Sequence, residues 1–386
     1  MRVVPAAGCG AKPERCLNLG SGRVDVRDAQ DDVVDSGQHG RQYEFVDSGA
    51  MKIAHARERH APAGTSFRLF AAADETGAQW LDLDVARRRA ARADERLSHN
   101  STLFRQPLTT LDDHLARGLR VEALTEIVER FERTDEDDDA VYDTTELTFG
   151  PPILRPTSLR DFYAFEQHVA TMWRRREMPI PEAWFRLPVF YFSNVSEIRG
   201  PTDPVWAPGG SNELDYELEI CALIDTPVKN LSAKRGEEAI GGYFVMNDWS
   251  ARDLQRDETA VRLGPAKGKD FATTLGPYLV TPDELTSARS GKCYDLAATA
   301  TVNGDTLSRG NWKDVHFSFG DMVERASADV RLVAGDVLGS GTVGGCCLLE
   351  IKDESGFGRF LQPGDSVSLA VDRLGVLTSP VVGRPQ

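Results

Sequence analysis

The sequence predicts an α+β protein in which a strand-rich mixed domain follows a smaller N-terminal domain. Three observations carry that prediction. After Pro151, Pro152 and Pro156, short apolar runs recur between Gly and Pro punctuation, as many short strands do. Helical spacing is confined to a few segments, so strands and long helices do not alternate as in a doubly wound parallel sheet. Hydrophobic content of 41% and charged content of 27% are those of a globular chain with cores to bury.

The elements follow in order. Residues 1–50 are rich in Gly, Asp and Arg without periodicity and read as a disordered extension, with Met51-Lys52-Ile53 as a natural start. Residues 51–150 are assigned to a small N-terminal α/β domain. Phe67, Leu69 and Phe70 suggest a strand, and Leu111, Leu115, Leu119, Leu124, Ile127, Val128 and Phe131 recur at helical spacing. The acidic run Asp135 to Asp139 then reads as a solvated linker. In residues 151–386, strands are expected at 189–192, 217–224, 242–246, 277–280, 297–302, 337–338, 346–351 and 366–371.

Bulk properties exclude several functions. A net charge of −15 repels a phosphate backbone, and no basic patch offsets it, so no nucleic-acid partner is expected. Apolar runs are too short to span a bilayer, and no basic segment followed by an apolar run opens the chain; a cytoplasmic protein is predicted. The six cysteines lack C-x-x-C spacing, and Cys346 and Cys347 read as buried thiols.

Three segments carry chemistry. In 158–173, Ser158 reads as a helix cap. Phe162, Phe165, Val169 and Met172 form its apolar stripe, and Asp161 and His168, two turns apart, share a face. In Leu214 to Ile220 strict alternation puts Asp215, Glu217 and Glu219 on one face of a strand. That face is either solvated or, turned to a cavity, in need of a hard cation such as Mg²⁺ or Ca²⁺, with Mn²⁺ admitted. The third segment is a buried strand ending in the polar turn Asn247 to Gln255, followed by a Gly- and Lys-containing loop without phosphate-loop spacing.

The run Met246-Asn247-Asp248-Trp249-Ser250-Ala251-Arg252-Asp253-Leu254-Gln255, with Leu263-Gly264-Pro265 and Lys269-x-Phe271-x-Thr273-Thr274, resembles the signature of the fumarylacetoacetate hydrolase family. The resemblance extends to Asp161-Phe162-Tyr163 with His168, to Asp215-x-Glu217-x-Glu219, and to Gly339-Ser340-Gly341-Thr342-Val343 with Glu350, in that order over roughly 150–380. It implies a β-sandwich or roll catalytic domain and a homodimer. It also implies metal-dependent hydrolysis of a carbon–carbon bond in a small 1,3-dicarbonyl acid, in the catabolism of aromatic or other small acids. By the same resemblance Asp161, Glu217, Glu219 and Asp248 hold Mg²⁺ or Ca²⁺, with Thr273 close by. His168 is the general base, Glu350 orients it, and Lys269 stabilises the oxyanion. Arg252, Gln255, Tyr163, Tyr191 and Thr342 contact substrate, core packing being the alternative for Tyr191.

Two departures bear on specificity. Where the family's animal hydrolases carry an arginine nine residues after the histidine, this chain has Glu177, preceded by arginines at 174–176; a tyrosine after the Arg-x2-Gln segment is replaced near Thr259. Competing readings are an isomerase or decarboxylase of a 2-oxo acid on the same fold, a metal-dependent phosphodiesterase, and a non-catalytic metal-bound scaffold.

Overall fold

The computed structural model describes residues 50–131 and 139–385. The expected extension and most of the acidic run lie outside the described residues; of that run Asp139 is described, ion-paired with Arg89.

A twelve-stranded sheet forms the frame among the described residues. Its main path runs Val141–Asp143, Gln79–Asp82, Arg68–Ala72, Lys52–Glu58, Thr273–Val280, Ile240–Asp248, Leu218–Ile224, Asp336–Gly339, Ser158–Phe162, Phe190–Ser193. The segment expected as a small N-terminal domain thus contributes four strands on this path, joined where Lys52 and Ile53 pair antiparallel with Val280 and Leu279. A second sheet of four strands runs Asp305–Asn311, Ala297–Val302, Ser366–Val371, Gly375–Pro380.

Both faces of the large sheet are covered, which explains the near-continuous apolar runs of its central strands. Along Leu218–Ile224, the residues Leu218, Ile220, Ala222 and Ile224 pack into one core with Ala298, Ala300, Val302, Leu369 and Val371 of the four-stranded sheet. Cys221 and Leu223 point the other way, into a core shared with Leu69, Leu81, Ala86, Phe104 and Leu124 of the N-terminal segment. Glu219 is the one charged residue of this strand, and it is fully buried.

Several expected elements differ. The apolar stripe over 111–131 forms short helices, Leu111–Ala116 and Thr125–Glu129, separated where Gly118 takes φ +76°. An unforeseen helix, Leu83–Ala93, is capped by Asp82, whose side chain accepts from the backbone of Asp84 and Val85. The run 346–351, expected as a strand, ends in a short helix, Leu348–Ile351. No helix among the described residues is long and apolar enough to cross a membrane.

Candidate metal and active site

The predicted helix over 158–173 is corrected by the structure. Ser158–Phe162 is a strand, parallel to Asp336–Gly339 and antiparallel to Phe190–Ser193, and the helix starts only at Glu166. Two flanking strands offer this segment a backbone ladder on both sides, and the Ser158 hydroxyl donates to Asp336 Oδ1 (2.7 Å) instead of capping a helix. Asp161 and His168 therefore meet across a strand–loop–helix corner, both lining one cavity of about 780 Å³.

Three strands deliver the acids: Asp161 near the end of Ser158–Phe162, Glu219 from Leu218–Ile224, and Asp248 at the end of Ile240–Asp248. One carboxylate oxygen from each lies within 4.8 Å of the others, and all three residues are buried. Two glycines make the approach possible. A Cβ at Gly339 would stand 2.8 Å from Asp161 Oδ1 and 2.7 Å from the Met246 methyl. Gly341, at φ +77°, donates its N–H to Asp161 Oδ1 (3.2 Å) and Glu219 Oε2 (2.9 Å).

These charges are not balanced by the protein alone. Burial, and then the charge of Asp248, pushes the Asp161 carboxyl well above its ordinary range; burial, and then Asp161 and Asp248, does the same to Glu219. Glu219 Oε1 and Asp248 Oδ1 have no hydrogen-bond partner. Unsatisfied, crowded carboxylate oxygens with no nitrogen or sulfur among them fit a hard divalent cation. The alternative of a solvated acidic face is overturned, since Asp215, Glu217 and Glu219 are all buried, although the expected single strand is two, Leu214–Asp215 and Leu218–Ile224, with Glu217 between them.

Glu217 is placed differently from the other three. Its Oε1 accepts from Arg252 (2.7 Å) and its Oε2 from Lys269. Although burial opposes it, Lys269 and Arg252 hold this carboxyl well below the usual carboxylate range. Lys269 also touches Asp248 Oδ2, so one buried ammonium bridges Glu217 and the acid cluster. Tyr191, opposite Asp161 in register, donates its hydroxyl to Asp248 Oδ2 (2.8 Å). It thus positions an acid of the cluster as well as lining the cavity. Thr273, buried, sits opposite Asp248 in the neighbouring strand, and Thr342 lines the cavity.

The histidine stands on the other side. His168 Nδ1 lies 3.0 Å from Glu350 Oε2, though off the line of a hydrogen bond, and the pair is buried. Tyr163 meets the imidazole edge-on with ring centres 5.3 Å apart. Glu350 Oε2 also accepts from the Gly345 N–H (3.0 Å) and the Cys347 thiol (3.5 Å). Arg252 reaches Gln255 Oε1 (3.0 Å), and both line the cavity, with Arg175, Arg176 and Arg256 farther out.

Sequence reasoning gave no separate role to Asp215. Its Oδ1 accepts from Leu348 N–H (2.7 Å), and its Oδ2 from Leu349 N–H (2.9 Å) and Arg252 Nε (2.8 Å). One carboxylate thereby ties the short helix bearing Glu350 to the guanidinium that holds Glu217. Its place in the acidic alternation was the available signal.

Fold and site together define the class. Residues 157–382 match the family model described as fumarylacetoacetate (FAA) hydrolase C-terminal, and the chain belongs to that family. Among its relatives is the mitochondrial oxaloacetate tautomerase fahd2 of Xenopus laevis, 31% identical over 207 residues, 54% of this chain and 60% of that protein. Another is 2,4-didehydro-3-deoxy-L-rhamnonate hydrolase of Sphingomonas sp. (strain SKA58), 30% identical over 51% of this chain and 65% of that one. The chain thus spans less than two thirds of either relative. A solved structure of 5-carboxymethyl-2-hydroxymuconate delta-isomerase from Mycobacterium smegmatis is 29% identical, covering 63% of this chain and 83% of that chain with a TM-score of 0.50.

Proposed function

We propose that this chain hydrolyses a carbon–carbon bond in a small 1,3-dicarbonyl acid, with a divalent cation held by Asp161, Glu219 and Asp248 and with Glu217 beside it. The observation that carries the reading is one cavity lined both by His168, backed by buried Glu350, and by Asp161 and Glu219 of the three-carboxylate cluster, with Asp248 buried behind them. The all-oxygen donor set suits Mg²⁺ or Ca²⁺ and admits Mn²⁺. When bound, the cation supplies a Lewis acid toward the substrate's carbonyl oxygens.

The chain's own groups account for the remaining chemistry. His168 takes a proton from water as that water attacks one carbonyl carbon, and Glu350 steadies the resulting imidazolium. Lys269 faces the negative charge that develops on oxygen. The bond to the central carbon then breaks, its electron pair leaving as an enolate. The proton held by His168 returns to that carbon, so one water is added and nothing is oxidised or reduced. Tyr163, Gln255, Arg252 and Thr342 orient the substrate. The exposed Phe192, Val189 and Leu187 support a homodimer, which light scattering after gel filtration would test.

A second reading has a specific support: the names of the Xenopus and Mycobacterium proteins are those of a tautomerase and an isomerase. Here His168 would move a proton between carbon and oxygen without adding water. A panel of acylpyruvates, fumarylacetoacetate and oxaloacetate, assayed with and without Mg²⁺ in ¹⁸O-water, separates the two. Hydrolysis places ¹⁸O in the released carboxylate. Faster enol–keto exchange with every dicarbonyl left intact would overturn the hydrolase reading.

A further inference from the structure

We propose that His168, Cys347 and Glu350 form a second metal site, distinct from the carboxylate cluster and selective for a thiophilic ion of the Zn²⁺ class. Three ligand types converge there. His168 Nδ1 and the Cys347 sulfur lie 3.0 and 3.5 Å from Glu350 Oε2. One ligand atom from each of the three residues falls within 4.8 Å of the others. A zinc ion bound at about 2.0–2.1 Å to nitrogen and oxygen and about 2.3 Å to sulfur sets tetrahedral ligands roughly 3.3–3.6 Å apart. The separations from Glu350 Oε2 are close to that spacing, and the third lies within 4.8 Å.

An independent observation concerns two of the same side chains. His168 Nδ1 and Glu350 Oε1 have no hydrogen-bond partner, although His168 is 4% exposed and Glu350 7%. Buried polar atoms left unsatisfied are costly, and a bound cation is one way of satisfying them.

Ligand softness separates the two sites. The Asp161–Glu219–Asp248 cluster offers oxygen alone, whereas this one offers nitrogen, sulfur and oxygen. Binding deprotonates the thiol, its proton passing to solvent as the sulfur–metal bond forms. Mg²⁺, which favours oxygen ligands, does not make that exchange. An ion seated here occupies the imidazole nitrogen that faces Glu350, so Zn²⁺ inhibits whatever proton transfer His168 performs. That consequence, unlike the binding itself, rests on the role proposed for His168.

The test is optical and independent of turnover. Full-length protein saturated with Mg²⁺ is titrated with Co²⁺ as a reporter for Zn²⁺. The expected result is a thiolate-to-cobalt charge-transfer band that saturates at one equivalent and is bleached by Zn²⁺. The band is lost in Cys347→Ala and retained in Cys346→Ala, with circular dichroism confirming that both variants fold. No band in the wild-type chain, or a band surviving Cys347→Ala, overturns the site. A chain that gives the band but hydrolyses no dicarbonyl loses the proposed function and keeps this site.

Discussion

Replacing Asp215 by alanine tests how the site is held together. The substitution strands three donors: the buried Leu348 N–H and Arg252 Nε, and the half-buried Leu349 N–H. Two orphaned backbone donors at about 1 kcal/mol each, and about 3 kcal/mol for a buried ion pair broken from one side, give roughly 5 kcal/mol. Arg252 keeps Glu217 and Gln255, which places its share at the low end. Asp215→Asn retains one acceptor oxygen, so about half that loss is expected.

The pair as a whole is a different matter. Burial pushes the Asp215 carboxyl up even though Arg252 opposes the shift, so the cost of desolvation is not fully recovered. The double variant Asp215→Ala/Arg252→Met is therefore expected to fall short of the sum of its single variants. Urea unfolding followed by tryptophan fluorescence measures all of them. A loss below about 1 kcal/mol in Asp215→Ala would refute the reasoning, because an unsatisfied buried donor alone costs that much. So would equal losses in the Ala and Asn variants.

Other outcomes follow from the same geometry. His168→Ala is expected to cut turnover by about 10²–10⁴-fold while calorimetric Mg²⁺ affinity stays near wild type; unchanged turnover would remove His168 as the base. Tyr191→Phe deletes the hydrogen bond to Asp248 Oδ2, and Mg²⁺ affinity should fall about 10-fold or more; an unchanged isotherm argues against that positioning role. Folding stability should also fall in mild acid, through His55. Its Nδ1 donates to Pro151 O (2.9 Å) and its Nε2 accepts from Leu111 N–H (2.9 Å), an arrangement that requires the neutral ring. Burial, opposed by the Pro151 bond and by Asp112, holds this imidazole below its ordinary 6.5. Its stabilisation is therefore complete above pH 6.5 and is lost as pH falls from there toward the depressed folded value. His55→Gln should remove His55's part of that slope, to which buried His114 adds in the same direction and the raised carboxyls of Asp161 and Glu219 in the opposite one; an unaltered slope would clear His55.

Much of the frame is legible in local pattern. The runs at 217–224, 242–246, 297–302 and 366–371 became strands because period-two apolar pairing or continuous β-branched and aromatic stretches suit a sheet buried on one or both faces. The ordered blocks from Asp161 to Glu350 pointed to the family that the match over 157–382 then showed. Other features escaped pattern because they depend on neighbours remote in the chain. The segment 158–162 carries helix-like spacing, yet partners at 336–339 and 190–193 offered it two ladders and made it a strand.

For the acids, sequence determined residue type and an alternation that predicted Glu217 and Glu219 on the same side of one strand; the structure keeps Glu219 in Leu218–Ile224 and leaves Glu217 just before it. Whether that side met water or a cavity was decided by tertiary structure alone, because solvation depends on what covers the sheet. Asp161 and Asp248 arrive there from separate strands, and Asp161 and Glu219 close in over Gly339, where a Cβ would meet both carboxylates. Partition within the set was decided there too. Glu217 is drawn to Lys269 and Arg252, while Asp161, Glu219 and Asp248 remain crowded together with oxygens unsatisfied. Coulomb attraction acts through space, so the position of each cation, and not the order of residues, sets which carboxylates stay available for a metal.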